Sequence, residues 1–282
     1  MSTAAGTPRR LHMVAVCHQL EPQDFAARLR RAAQRHGHRL CGVVVSNNDR
    51  HHCPPLDDAD DLAYLRGSNE MLDFSGYLEG IEHLVSTLSP SDADNVLFVN
   101  DSLFTKHAAG CILRHVLRLD GLMRRLKQPA ICGKWDPYRS ICLRNPWSAL
   151  PGFVTTFCFM LNARALPTMR ALRDDAMTDG VLVEAPVQDD AWGRQLNACF
   201  REFVRAHVAY SESPYLWASA PGCDPRLLRK KACCVYLESR LSGAIGAMGA
   251  TLPINSGPRS RSDIHLHELA ARARHALAGL LR

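Results

Sequence analysis

Apolar residues in this chain gather in short β-branched runs that end on polar clusters, with stretches between them where apolar side chains recur every third or fourth position. "LHMVAVCH" (11–18) and "RLCGVVVSNND" (39–49) are runs of the first kind. Between them Phe25, Leu29, Ala32 and His36 keep helical spacing, so a strand–helix–strand unit is predicted. Both strands are apolar on both faces, as central strands of a parallel sheet are. Residues 50–69, with two prolines and four aspartates, read as a polar loop. A helix is predicted from Asp73, its buried stripe being Phe74, Tyr77, Leu78, Ile81, Leu84, Val85 and Leu88. Gly76 and Gly80 share a face of that helix at a cost of roughly 1 kcal/mol each against Ala, which implies close packing on a strand or close approach of a ligand.

Further strands are predicted at 95–100, 129–134 and 153–162, and a long helix with Ile112, His115, Val116, Leu119, Leu122, Met123 and Leu126 on one face. The stretch from Trp135 to Gly152, rich in Pro and aromatics, reads as an irregular binding loop. Trp192, Leu196, Cys199, Phe200 and Phe203 form a later helical stripe, and 225–243 another helix. The expected organisation is a loose tail at 1–10, a catalytic domain at 11–205, a helical extension at 206–256, and a linker with an amphipathic C-terminal helix at 257–282. Strands alternating with helices predict an α/β fold, a mostly parallel Rossmann-like sheet flanked by helices with a helical C-terminal extension. Ligands of such sheets sit at the carboxyl ends of the strands. Asn47-Asn48-Asp49, Asn100-Asp101-Ser102 and the loop from Asn69 to Asp73 would together line a polar pocket there.

Composition removes several classes. No run of 18 apolar residues exists and the N-terminus lacks an apolar signal core, so a cytoplasmic protein is expected. Eleven cysteines, an odd number with no C-x-x-C pair, read as small hydrophobes rather than a disulfide framework or zinc site. The net charge of +6 suits phosphate-bearing ligands or an anionic membrane face, whereas lysines and arginines scattered over helix faces argue against nucleic acid. No G-x-G-x-x-G follows the first strand, and no P-loop, G-x-S-x-G or H-E-x-x-H is present.

What remains is a pocket of carboxylates and amides. A hard divalent cation, Mg²⁺ or Mn²⁺, would let it hold a diphosphate, with Asp101 as the metal ligand and Asn100 and Ser102 adding oxygens or bonding ribose. A capped helix start at Ser102 explains the same residues. Asp189 and Asp190, placed before a predicted helix, are either favoured there by its dipole or include a general base.

The run "GSNEMLDFSGYLEGIEHL…NVLFVNDSLF" resembles the core of the rhamnan-synthesis glycosyltransferase-like family, with its N-x-x-x-D-F element leading into a helix and then hydrophobic-Asn-Asp-Ser. More broadly the chain resembles nucleotide-sugar glycosyltransferases of the GT-A fold. The resemblance spans roughly residues 11–205 and is specific around 67–104. It implies a donor side of Asn69, Asp73, Asn100, Asp101 and Ser102, with Asn48 or Asp49 reading the base, and an acidic pair, Asp189 and Asp190, supplying the catalytic base. Here the outer positions of the family's D-x-D element are Asn100 and Ser102. The implied activity is sugar transfer from a nucleotide donor to a glycan or lipid-linked glycan of a bacterial surface polysaccharide. Lys134 and Arg139 would neutralise phosphate if the metal is missing; Trp135, Tyr138 and Trp147 would stack on acceptor sugars or pack a long surface loop; the C-terminal helix would touch the inner membrane face or pack against the catalytic domain or a partner subunit. The rival readings are a catalytically silent glycan-assembly protein that keeps the fold, and a sugar nucleotidyltransferase.

Overall fold

The computed structural model describes residues 9–54, 61–105, 110–138, 142–209 and 224–254, an α/β fold on one seven-stranded sheet. The strands are β1 (Arg9–Cys17), β2 (His38–Ser46), β3 (Leu62–Arg66), β4 (Asn95–Asn100), β5 (Ala130–Pro137), β6 (Gly152–Asn162) and β7 (Ala250–Ile254), in the order β3-β2-β1-β4-β6-β5-β7. All run parallel except β6, which is antiparallel to both β4 and β5.

Helices cover both faces, which is why the central strands are apolar on both sides. On one face lie α1 (Pro22–Gln34), α3 (Ser102–Thr105), α4 (Gly110–Arg118) and α5 (Asp120–Met123). Their core holds Leu11, Met13, Phe25, Leu29, Val44, Leu113 and Leu117. The other face carries α2 (Asp73–Leu88), α6 (Leu166–Thr178), α7 (Ala198–Ala209) and α8 (Pro225–Met248) over Val14, Val16, Val45, Phe98 and Phe159. Gly76 and Gly80 let α2 lie directly on β1: a methyl on Gly76 would stand 2.8 Å from Val16 Cγ2, and one on Gly80 would overlap Val14.

Several elements differ from the sequence expectation. Arg9 and Arg10 open β1 instead of belonging to the tail, and β3 lies within the stretch read as a loop. The long helix at 112–126 is broken into α4 and α5. The break falls where the Leu119 N–H is shared between the His115 and Val116 carbonyls and Asp120 is drawn inward, accepting from Asn95 Nδ2 at 2.8 Å. Trp192 and Leu196 precede α7, because Gly193 takes a left-handed φ of 59° and Asn197 caps the helix by accepting from the Cys199 N–H. Cys111, read as apolar filler, is exposed. Residues 225–254 are not an appendage: α8 packs on β6, and β7 pairs in parallel with β5 as the seventh strand. Arg139 and the C-terminal linker and helix lie outside the described residues. No described helix is long and apolar enough to cross a membrane.

Candidate functional site

From β1 the chain winds outward through β2 to β3, and β4 then enters on the other side of β1. That reversal opens a crevice between the carboxyl ends of β1 and β4, the place where ligands of open α/β sheets sit. The polar residues after these strands meet there. Asp73, the first residue of α2, accepts from Asn100 Nδ2 at 2.8 Å and lies 3.1 Å from His18 Nε2. Ser102 bonds the Asn100 side-chain oxygen through both its hydroxyl and its N–H. Asn48 ties the loop after β2 to this group by donating to the His18 carbonyl at 2.8 Å, and it also bonds the His51 ring. His18, just past β1, is the member that sequence reasoning missed; it carried no signal beyond standing at a strand end.

The loop delivering Asp73 is strained. Asn69 and Leu72 both have positive φ, 54° and 52°, an uncommon conformation for residues with a Cβ. Three side chains, one from the turn after β2 and two from α8, clamp it. Asn47 Nδ2 donates to the Leu72 carbonyl at 2.7 Å, Lys230 Nζ to the Asn69 carbonyl at 2.6 Å, and Cys234 Sγ to the Met71 carbonyl at 3.2 Å. The Asn47 and Asn69 side-chain oxygens are buried here without protein partners. Such strain persists where the surroundings over-determine it, and here it fixes the direction in which Asp73 enters the crevice.

Asp101 faces the other way. Its Oδ2 accepts the backbone N–H groups of His18, Gln19 and Leu20 at 2.9, 2.6 and 2.9 Å, and the residue is 3% exposed. The carboxylate therefore latches the β1–α1 loop, and the residue nominated as the metal ligand does not fit one. Among the described residues no group of three His, Cys, Asp or Glu side chains converges to hold a metal ion.

Across the crevice stands Glu238 of α8, also missed from sequence. Its Oε1 accepts from the Thr156 N–H at 2.9 Å and the Thr156 hydroxyl at 2.6 Å. Thr156 lies beyond the Val99–Cys158 pair that closes the β4–β6 ladder, so it sits at the same edge of the sheet as Asn100. Burial pushes the Glu238 carboxyl above the ordinary glutamate value, against the pull of the Thr156 bonds and Lys231, while Asp136 adds to the rise. Tyr77 joins the two halves: its hydroxyl donates to the Thr156 carbonyl at 2.7 Å, and burial with the nearby Asp73 and Glu238 charges holds its pKa far up. Glu238 carried no local signal because it sits on a helix far along the chain, and only the packing of α8 on β6 brings it here.

The remaining candidates scatter. Asp49 points to solvent, 3.6 Å from Arg66. Asn69 lines the clamped loop through its backbone. Lys134, inside β5, holds its ammonium over the Phe157 ring at 5.8 Å. The three aromatics all pack against neighbouring side chains. Tyr138 is 3% exposed, bonded by Asn145 and set against Phe153 and Phe203. Trp147 meets Phe200 and Tyr236 edge-on under Arg240, and Trp135 fills the space left by Gly152. Asp189 and Asp190 are not at a helix start; α7 begins at Ala198. Asp189 Oδ1 accepts from the Ala191 N–H, and Asp190, 88% exposed, pairs with Arg205 at 3.4 Å and Arg201 at 4.0 Å. Neither bonds to a member of the crevice.

Scans against family models, curated proteins and solved structures find no match to this chain.

Proposed function

We propose that the chain is a GT-A-type glycosyltransferase that moves a sugar from a nucleotide donor to a hydroxyl of a surface-polysaccharide acceptor. The observation that carries this is the hydrogen-bonded group His18–Asp73–Asn100–Ser102, hung on three elements at the β1/β4 crevice and facing a part-buried carboxylate, Glu238. The sheet order with one reversed strand and the resemblance around residues 67–104 support it further.

In this reading Asp73 and Asn100 take the ribose hydroxyls, as a strand-end carboxylate does in nucleotide sites. His18 and the lysines at the rim, Lys230 and Lys231, offset the charge of the donor diphosphate. Glu238 is the general base. Thr156 occupies its Oε1, which orients the carboxylate and leaves Oε2 for the acceptor. Oε2 takes the proton of the attacking hydroxyl, the acceptor oxygen bonds to the anomeric carbon, and the bond from that carbon to the diphosphate oxygen breaks. A glutamate raised by burial is matched to that task near neutral pH. Asp189 and Asp190 are the less suited pair, since Asp190 is exposed and held by arginines.

The test is thermal stabilisation by a panel of nucleoside diphosphates. A ligand at 100 times its Kd adds about 2.7 kcal/mol. One diphosphate should stabilise the protein beyond the others, and Asp73→Asn, nearly isosteric, should remove that excess while still folding. No shift with any diphosphate at millimolar concentration overturns the donor site. A shift without transferase activity in the wild-type protein points instead to a silent assembly protein.

A further inference from the structure

A groove of about 730 Å³ opens between α1 and α4, on the face of the sheet opposite Asp73 and Glu238. Buried Leu113 and Leu117 and half-buried Phe104 form its floor. Its walls are arginines: Arg28 and Arg31 on α1 with Arg35 at its C-terminal cap, and Arg114 and Arg118 on α4. Spacings of three and four residues put each set on one helix face, and the α1 row is about 10 Å long at 1.5 Å per residue. Basic residues that look scattered along the sequence thus converge once the helices pack.

No acidic side chain lines the groove, and all five guanidiniums are exposed without an ion pair among the described residues. Elsewhere this chain pairs its arginines readily, as in Arg170–Glu82 at 2.6 Å and Arg240–Asp175 at 3.0 Å. Like charges held this close repel unless something neutralises them. Arginine's planar fork matches phosphate oxygens, and the volume lies within the usual range of small-molecule sites. Two facing walls over an apolar floor suit a discrete molecule better than a flat lipid surface. We propose that the α1–α4 groove binds a nucleoside polyphosphate, its phosphates between the two arginine rows and its base against the half-buried Phe104 ring. The site is separate from the donor crevice: Arg28, Arg31 and Arg35 lie along the far half of α1 and its C-terminal cap, whereas the helix N-terminus follows the β1 loop.

His36 at the groove end gives an internal reporter. Burial lowers its pKa, and Arg118, His38, Arg114 and Arg35, the charged or titratable groups facing it, lower it further. A bound polyphosphate would offset the arginine charges and raise it.

Titration calorimetry with ATP on the full chain at near-physiological salt tests the proposal. One saturable site is expected, weakened at least tenfold in the double variant Arg31→Gln/Arg114→Gln and unchanged in Asp73→Asn. Inorganic tripolyphosphate, which cannot use the floor, should bind at least tenfold more weakly than ATP, and the NMR titration of His36 should move upward when ATP is bound. The proposal is overturned if ATP does not bind, if the arginine variant binds as well as the wild type, or if tripolyphosphate binds as tightly as ATP. It is equally overturned if the arginines govern only adsorption to phosphatidylglycerol vesicles.

Discussion

At the scale of single residues, the polar cluster after β4 divides by the direction each side chain takes. Asn100 turns toward α2 and meets Asp73, whereas Asp101 turns toward α1 and collects three backbone N–H groups. Removing a charged acceptor strands those donors, so Asp101→Ala should lose about 2–4 kcal/mol of stability in urea unfolding. Asp101→Asn keeps one acceptor oxygen and should lose less; an alanine variant as stable as the wild type would show that the latch is unimportant. Glu238 behaves oppositely. Its folded-state pKa is raised, so its ionised form costs stability above that value, and the penalty is gone as pH falls below the ordinary 4.5. Glu238→Gln can still accept from Thr156, so it should keep or raise the melting temperature at neutral pH. It should also cut transfer roughly 10²–10⁴-fold, the usual contribution of a general base. Activity that survives the substitution would exclude Glu238 as the base.

At the scale of elements, α2 is the clearest case of sequence and structure agreeing. Its start at Asp73, its apolar stripe and its two glycines are all legible, because helix periodicity and the cost of a mid-helix glycine are local properties. Gly80→Ala gains about 1 kcal/mol of helix propensity but drives a methyl into Val14, a stiff residue in a packed strand. Overpacking costs about 1–3 kcal/mol, so the variant should be less stable than the wild type by chemical denaturation. A gain in stability would mean that α2 can lift off β1. The elements that were misread fail for equally local reasons. β3 is five residues long beside an aspartate-rich loop, too short for alternation to show. The break between α4 and α5 comes from Asp120 bonding to Asn95, a contact across 25 positions that periodicity does not see.

At the scale of the whole molecule, the α/β class and the carboxyl-edge location of the polar residues come from the alternation of apolar runs with helical stripes. Those features are local and the chain states them directly. Half of the candidate site was legible in this way: Asp73, Asn100, Ser102 and Asn48 stand at the ends of recognisable runs. Glu238, His18's role and the arginine groove were not, because each depends on which strands become neighbours and which helix faces meet. Strand order is settled by how the two apolar faces of the sheet are covered, a property of all the helices together. Sequence by itself determined most of the elements, β3 and β7 excepted, with their buried faces and the polar strand ends. Tertiary structure alone decided that β6 runs backward between β4 and β5, that α8 carries its glutamate to the crevice, and that Asp101 is a latch. The physical reason is that hydrogen-bond partners and burial are properties of neighbours in space, and most of these neighbours lie tens of positions apart along the chain.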